Sequence, residues 1–362
     1  MTIQFSAPDS STNKYWIVLA PIMAAAIVSQ PAPIAFENPK WGHVSKLNIE
    51  GNEGGRLRPD VLGWLEPVSK DASDEELRER FERDGVIFVK GVIPREKVLA
   101  MRKKYFEYVS SSGVLKEQTD PEDGIFCGGD PHKFAGPGVA SHLGLTEAEC
   151  DFLAKSVSAH KEEFVHAFAQ DGEIMKIVQR LKPEWKDPLL FKRQLLRSNI
   201  PNSEGTATKV HYDQIFLRAA PPTSLTAWVP IGDIPPESGG LIYLENSVPI
   251  GLEIEDGFTK LNANLSDEDR LSAFNVNMTD RGNLSRDAGK FARERGGGRR
   301  WLIADYEAGD VVFHHPCMIH ASGVNRDPMG RIRLATDLRF ADGAAPYDHR
   351  WANKYFVPGD GL

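Results

Sequence analysis

The chain has 362 residues, a net charge of -8 and a pI near 5.7. That length can bury one large core or two smaller ones, and the acidic balance lacks the broad basic surface that a nucleic-acid partner needs. Its three cysteines, Cys127, Cys150 and Cys317, are odd in number, far apart and without a CxxC pair. They predict reduced thiols in a cytoplasmic protein rather than a disulfide framework.

In chain order, Tyr15 to Val28 is a mostly apolar run broken by Pro21. It is shorter than the roughly 20 residues of a membrane span and lacks the basic flank of a signal peptide, so it reads as an arm. Residues 30–72, rich in Pro, Gly and Asn, predict an irregular wrap, and 1–72 is set apart as an N-terminal arm. Ser73-Asp74-Glu75-Glu76 supplies a capping box for a short helix that ends at Asp84-Gly85. Val86 to Val89 predicts a strand, and Arg95 to Val109 a helix with Val98, Met101, Tyr105 and Tyr108 on its buried stripe. Residues 111–140 read as a long loop, and Thr146 to Leu181 as one or two helices on which His160 and His166 are core or surface residues rather than ligands.

From Leu189 the pattern changes to short strands parted by Pro and Gly turns: Leu189–Arg197, Lys209–Leu217, Leu225–Ile231, Leu241–Leu244, Asp310–His314 and Arg331–Phe340. This spacing predicts a β sandwich or barrel. A polar stretch at about 250–300, basic in its second half, interrupts the strands and reads as an insertion or lid. Residues 73–362 are accordingly expected to form a single domain, a double-sheet β core buttressed by N-terminal helices.

The chemistry is carried by His211-Tyr212-Asp213 together with His320. On a strand, residues i and i+2 share a face, so His211 and Asp213 project together, and a distant His completes a two-His-one-carboxylate set. Such a set holds Fe(II) on one side and leaves the other open for a chelating co-substrate and O2. His320 precedes Ala321-Ser322-Gly323, small residues that leave room beside a ligand. His315 is the fallback ligand, and His314 is expected to pack against the sheet. Arg331, eleven residues beyond His320, could clamp a carboxylate bidentately, and Arg333 shares its strand parity.

Three stretches carry a family resemblance: Arg83 to Ile93; His211-Tyr212-Asp213 with Leu225 to Ile231 and Ser238 to Leu241; and Gly309 to Phe313 through His320 to Arg331. Together they resemble the phytanoyl-CoA dioxygenase family of Fe(II)/2-oxoglutarate-dependent oxygenases. The resemblance implies an α+β fold with a double-stranded β-helix (jelly-roll) core. It also implies iron bound by His211, Asp213 and His320, and 2-oxoglutarate held by Arg331 with help from Ser322. Thr226 and Trp228 are expected to line the co-substrate pocket, with Thr208, Lys192 and Gln194 nearby. The chain departs from many relatives at Asn246-Ser247-Val248, where they carry Gly-Ser-His, so the substrate cannot be taken from the family name.

The implied reaction uses Fe(II), 2-oxoglutarate and O2 to oxidise a small-molecule metabolite, by hydroxylation, desaturation or cyclisation and rearrangement, with release of succinate and CO2. Two rival readings use the same residues: a metal enzyme independent of 2-oxoglutarate, and a jelly-roll protein that binds without turnover. A small-molecule substrate, no nucleic acid, no membrane span and a homodimer are the expected partnerships.

Overall fold

Ser73 starts the first helix, Asp74–Asp84, by accepting a hydrogen bond from the Glu76 amide, and Gly85 ends it in the left-handed conformation at φ 71°. The chain passes directly into strand Val86–Lys90. This computed structural model describes residues 35–134, 136, 146, 150–278, 280–357, 360 and 362. The apolar run Tyr15 to Val28 lies outside them, as does most of the stretch 135–149.

Two sheets face each other. Among the described residues the larger runs in the order Pro67–Ser69, Val86–Lys90, Val311–His314, Leu225–Pro230, Arg333–Asp342 and Pro188–Leu190, with Leu195–Asn199 also paired to Arg333–Asp342. The smaller runs His320–Ser322, Leu241–Leu244, Trp301–Ile303 and Leu62–Trp64. Most of the pairings are antiparallel, and the whole is the expected α+β double-stranded β-helix. Alternation sorts the side chains. Val86, Phe88, Trp228, Val312 and Ala335 of the larger sheet meet Leu241, Tyr243 and Leu302 of the smaller one between the layers.

The opposite face of the larger sheet carries Ile87, Val89, Ala227, Val229, Phe313, Leu334 and Leu338. Against it pack helices Arg95–Val109, Asp151–Ala159, Glu163–Ala169 and Gly172–Leu181. Among the described residues, Thr146 to Leu181 therefore holds three helices where one or two were expected. His160 is fully enclosed there: its Nδ1 bonds the Ser156 carbonyl and its Nε2 accepts from the Leu196 amide. Burial pushes its pKa down to about 4.

Three sequence expectations change. The segment before residue 73 is more than a wrap: Leu62–Trp64 and Pro67–Ser69 pair in parallel with Trp301–Ile303 and Val86–Lys90, one strand in each sheet. The strand expected at 189–197 breaks between Leu190 and Leu195, where the Lys192 and Arg193 amides bond the Ala352 and Trp351 carbonyls instead. The stretch 250–300 is largely helical, with Val248–Leu261, Asp267–Leu271 and Ala288–Glu294. Phe291 and Ala292 pack under the smaller sheet, and the Trp301 indole donates to the Ala288 carbonyl. Among the described residues no helix is long and apolar enough to cross a membrane.

The depressed pKa of His160 makes the fold less stable in acid. The unfolded imidazole takes its proton near 6.5, about its ordinary value, whereas the folded one resists it to about 4. This contribution to stability is complete above 6.5 and is lost as pH falls from there toward 4. Urea denaturation between pH 7 and 4.5 should show stability dropping with acid, and His160→Gln should reduce that slope by about one proton, ~1.4 kcal/mol per pH unit.

Candidate metal centre

His211 closes onto the smaller sheet by exchanging backbone hydrogen bonds with His320 at 3.0 and 2.9 Å. Asp213 then turns out of the strand as the first residue of a 3-10 turn, Asp213–Ile215. The strand expected over Lys209–Leu217 is thus reduced to single bridges at Val210 and His211, but the turn keeps Asp213 beside His211. One ligand atom from each of His211, Asp213 and His320 lies within 4.8 Å of the others, and all three residues are buried.

The two imidazoles are fixed in the form a metal requires. Each Nδ1 donates to a nearby carbonyl at 2.9 Å, His211 to Lys209 and His320 to Met318. The lone pair is thereby left on Nε2, and both Nε2 atoms stand 3.9 Å from Asp213 Oδ1. Burial lowers the pKa of both histidines, which keeps them neutral and able to coordinate.

Asp213 is 2% exposed, and such a burial disfavours its charge. Three donors oppose that: Arg339 Nη2 reaches Oδ1 at 3.0 Å, while Thr226 Oγ1 and His314 Nε2 reach Oδ2 at 2.6 and 3.2 Å. The Arg339 charge and the His314 hydrogen bond outweigh burial, so the carboxyl stays well below its usual pKa. The Tyr243 hydroxyl sits 3.3 Å from His314 Nδ1, which holds the tautomer that donates to Asp213. His314 was expected only to pack, and Arg339 was not singled out. Both occupy inward positions on their strands, so parity carried on from Arg333 would have found Arg339. His315 turns elsewhere, accepting from the Cys317 amide.

The other expected residues divide. Ser322 faces inward from the strand that carries His320, and its Oγ accepts from the Thr208 amide at 2.7 Å. Trp228 is inward and packs edge-on against Tyr306. Thr226 is also inward and donates to the Asp213 carboxylate. Lys192 is at the surface over the Tyr355 ring, and Gln194 bonds His166. Neither points between the sheets, because the break after Leu190 turns this stretch toward the C-terminal segment.

Arg331 precedes the last strand, and its guanidinium is already paired with both oxygens of Asp327 at 2.8–3.1 Å. Arg333, two residues on, is 3% exposed. It lies over the Trp228 ring, with Nε on the Gly239 carbonyl and Nη1 on Asn199 Oδ1. Burial lowers its pKa to about 10, leaving it protonated at neutral pH.

The chain belongs to the phytanoyl-CoA dioxygenase (PhyH) family, whose model matches residues 81–332. It is accordingly a non-haem oxygenase whose cofactors are iron and 2-oxoglutarate, and the paired neutral imidazoles and ionised carboxylate suit that ion. No curated protein matches the chain. Among solved structures it is similar to SnoK, a non-heme alpha ketoglutarate dependent carbocyclase from nogalamycin biosynthesis (19% identity, 82% of this chain and 96% of that one, TM-score 0.48). It is also similar to the epimerase SnoN in complex with Fe3+, alpha ketoglutarate and nogalamycin RO (22%, 80% and 91%, 0.43). A third is EctD from S. alaskensis with 2-oxoglutarate and 5-hydroxyectoine (14%, 86% and 91%, 0.48).

Thr226→Val keeps the shape of the side chain and removes one of the two donors on Asp213 Oδ2. Titration of metal-free protein with Co(II), followed by its visible spectrum, should show affinity falling about 10–100-fold while the fold is retained.

Proposed function

We propose that this oxygenase oxidises a C–H bond of a small-molecule metabolite, with iron held by His211, Asp213 and His320 and the distal carboxylate of 2-oxoglutarate held by Arg333. The observation that carries the reading is the pair of imidazoles whose Nδ1 atoms are tied to carbonyls, so that both Nε2 lone pairs face one buried carboxylate. A solvated His-x-Asp would have no reason for that arrangement.

When bound, iron with 2-oxoglutarate and O2 supplies oxidative decarboxylation to succinate and CO2 coupled to oxidation of the substrate. The chain supplies position and a dry enclosure. Thr226, His314 and Arg339 hold the Asp213 carboxylate in one orientation. Trp228, Tyr243 and Tyr306, all buried, wall the space between the sheets against water. Ser322 shares its strand face with His320, and its hydroxyl can donate to a carboxylate while accepting from the Thr208 amide. Hydroxylation is the default outcome, and desaturation or ring closure needs only a differently placed substrate.

The choice of Arg333 over Arg331 rests on charge already spent. Arg331 is neutralised by Asp327, which Ser238 also holds at 2.8 Å, and its side chain is one-third exposed. Arg333 is enclosed and bonded only to neutral oxygens, so its full charge remains for an anion. Arg333→Leu should raise the 2-oxoglutarate concentration for half-maximal succinate release by about 100-fold, the loss of a charge-assisted contact of ~2–3 kcal/mol. Arg331→Leu should change it less than about threefold. The opposite ranking would return the clamp to Arg331.

A further inference from the structure

Three arginines project from the larger sheet into the space between the layers: Arg197, Arg333 and Arg339. Two of them are engaged, Arg339 by Asp213 and Arg333 by Gly239 and Asn199. Arg197 differs. It is half-buried, and among the described residues its guanidinium makes no hydrogen bond and no ion pair. Asp337, also half-buried, is in the same condition.

The two are neighbours. Arg197 lies opposite Ala335 in the ladder, and Asp337 is two residues farther along the same face. Diagonal neighbours on a sheet face are about 7–8 Å apart, within reach of side chains this long, yet they have not closed on each other. Both also act on the site. The Asp337 charge is felt by His211, Arg333 and Tyr243, and the Arg197 charge by His211 and Arg333. Ala335 between them is small, and Trp228, directly across from Asp337, gives an apolar floor.

A separated cation and anion on one wall of an oxygenase chamber do not suit 2-oxoglutarate, which brings two negative charges and would be repelled by Asp337. They suit a ligand that carries both signs. We propose that Arg197 and Asp337 recognise the primary substrate, and that this substrate is a small zwitterion, such as an α-amino or cyclic imino acid, whose carboxylate meets Arg197 and whose ammonium meets Asp337. The inference rests on the oxygenase reading of the same chamber. Leaving half-buried charges unpaired costs stability, and a bound zwitterion returns what the empty wall lacks.

The test is calorimetric titration of protein loaded with Ni(II) and 2-oxoglutarate, using α-amino and imino acids, each beside its N-acetyl and methyl-ester form. Some free zwitterions should bind at least about tenfold more tightly than their blocked forms. Arg197→Gln should abolish the preference for acid over ester, with Arg197→Lys retaining part of it, and Asp337→Asn should abolish the preference for the free amine. The proposal is overturned if zwitterions bind no better than blocked forms, or if both neutralised variants keep the preference because the two side chains serve only each other. It is overturned too if Arg197→Gln raises the demand for 2-oxoglutarate as Arg333→Leu does, which would make Arg197 part of the co-substrate site. Titrating the Ni(II)-loaded protein separately with 2-oxoglutarate separates the two readings: zwitterion preference in protein that holds Ni(II) yet binds no 2-oxoglutarate would retain the subsite and remove the oxygenase assignment.

Discussion

A carboxylate taken out of water must be given back its partners, and the centre of this protein is organised by that requirement at Asp213. Three strands of the larger sheet each contribute one donor: Thr226, His314 and Arg339. The register places Thr226 beside both His314 and Arg339, so the three converge on one inward spot. The smaller sheet brings His320, to which His211 is tied by reciprocal backbone bonds. The centre therefore exists only when both sheets are in register. A slip of one residue would turn every one of these side chains outward.

The same arrangement explains how the site keeps its charge state. Burial alone would neutralise Asp213 and does lower the pKa of His211 and His320. The Arg339 guanidinium reverses the first effect without disturbing the second, giving one anionic and two neutral ligands at neutral pH. Arg339 is in turn stacked on Trp351, over whose ring Arg193, held by Asp360 near the C-terminus, also lies. The C-terminal segment, remote in sequence from the ligands, thus packs behind the charge that keeps Asp213 ionised.

Much of this was legible in the sequence. The capping box at Ser73, the helix Arg95–Val109 and the strands Leu225–Pro230 and Leu241–Leu244 follow from local periodicity, because each is an element whose own pattern is strong. The ligand set was readable because His211, Asp213 and the distant His320 are together the two-imidazole, one-carboxylate donor set that iron takes. What was not legible depends on long-range pairing. Leu62–Trp64 and Trp301–Ile303 are three-residue strands that exist through their partners. The diversion of Lys192 and Gln194 is set by the backbone bonds from Lys192 and Arg193 to Ala352 and Trp351, far along the chain. The pairing of Arg331 with Asp327 needs the turn geometry between them, which sequence spacing alone does not fix.

The most direct measurement of the central claim is an anaerobic titration of metal-free protein with Fe(II) and then 2-oxoglutarate, monitored in the visible range, with His211→Ala alongside. A weak metal-to-ligand charge-transfer band is expected in the wild type, saturating at one 2-oxoglutarate per iron and lost in His211→Ala. A folded, iron-loaded wild type that shows no band at saturating 2-oxoglutarate, or a His211→Ala variant that keeps it, would contradict the account.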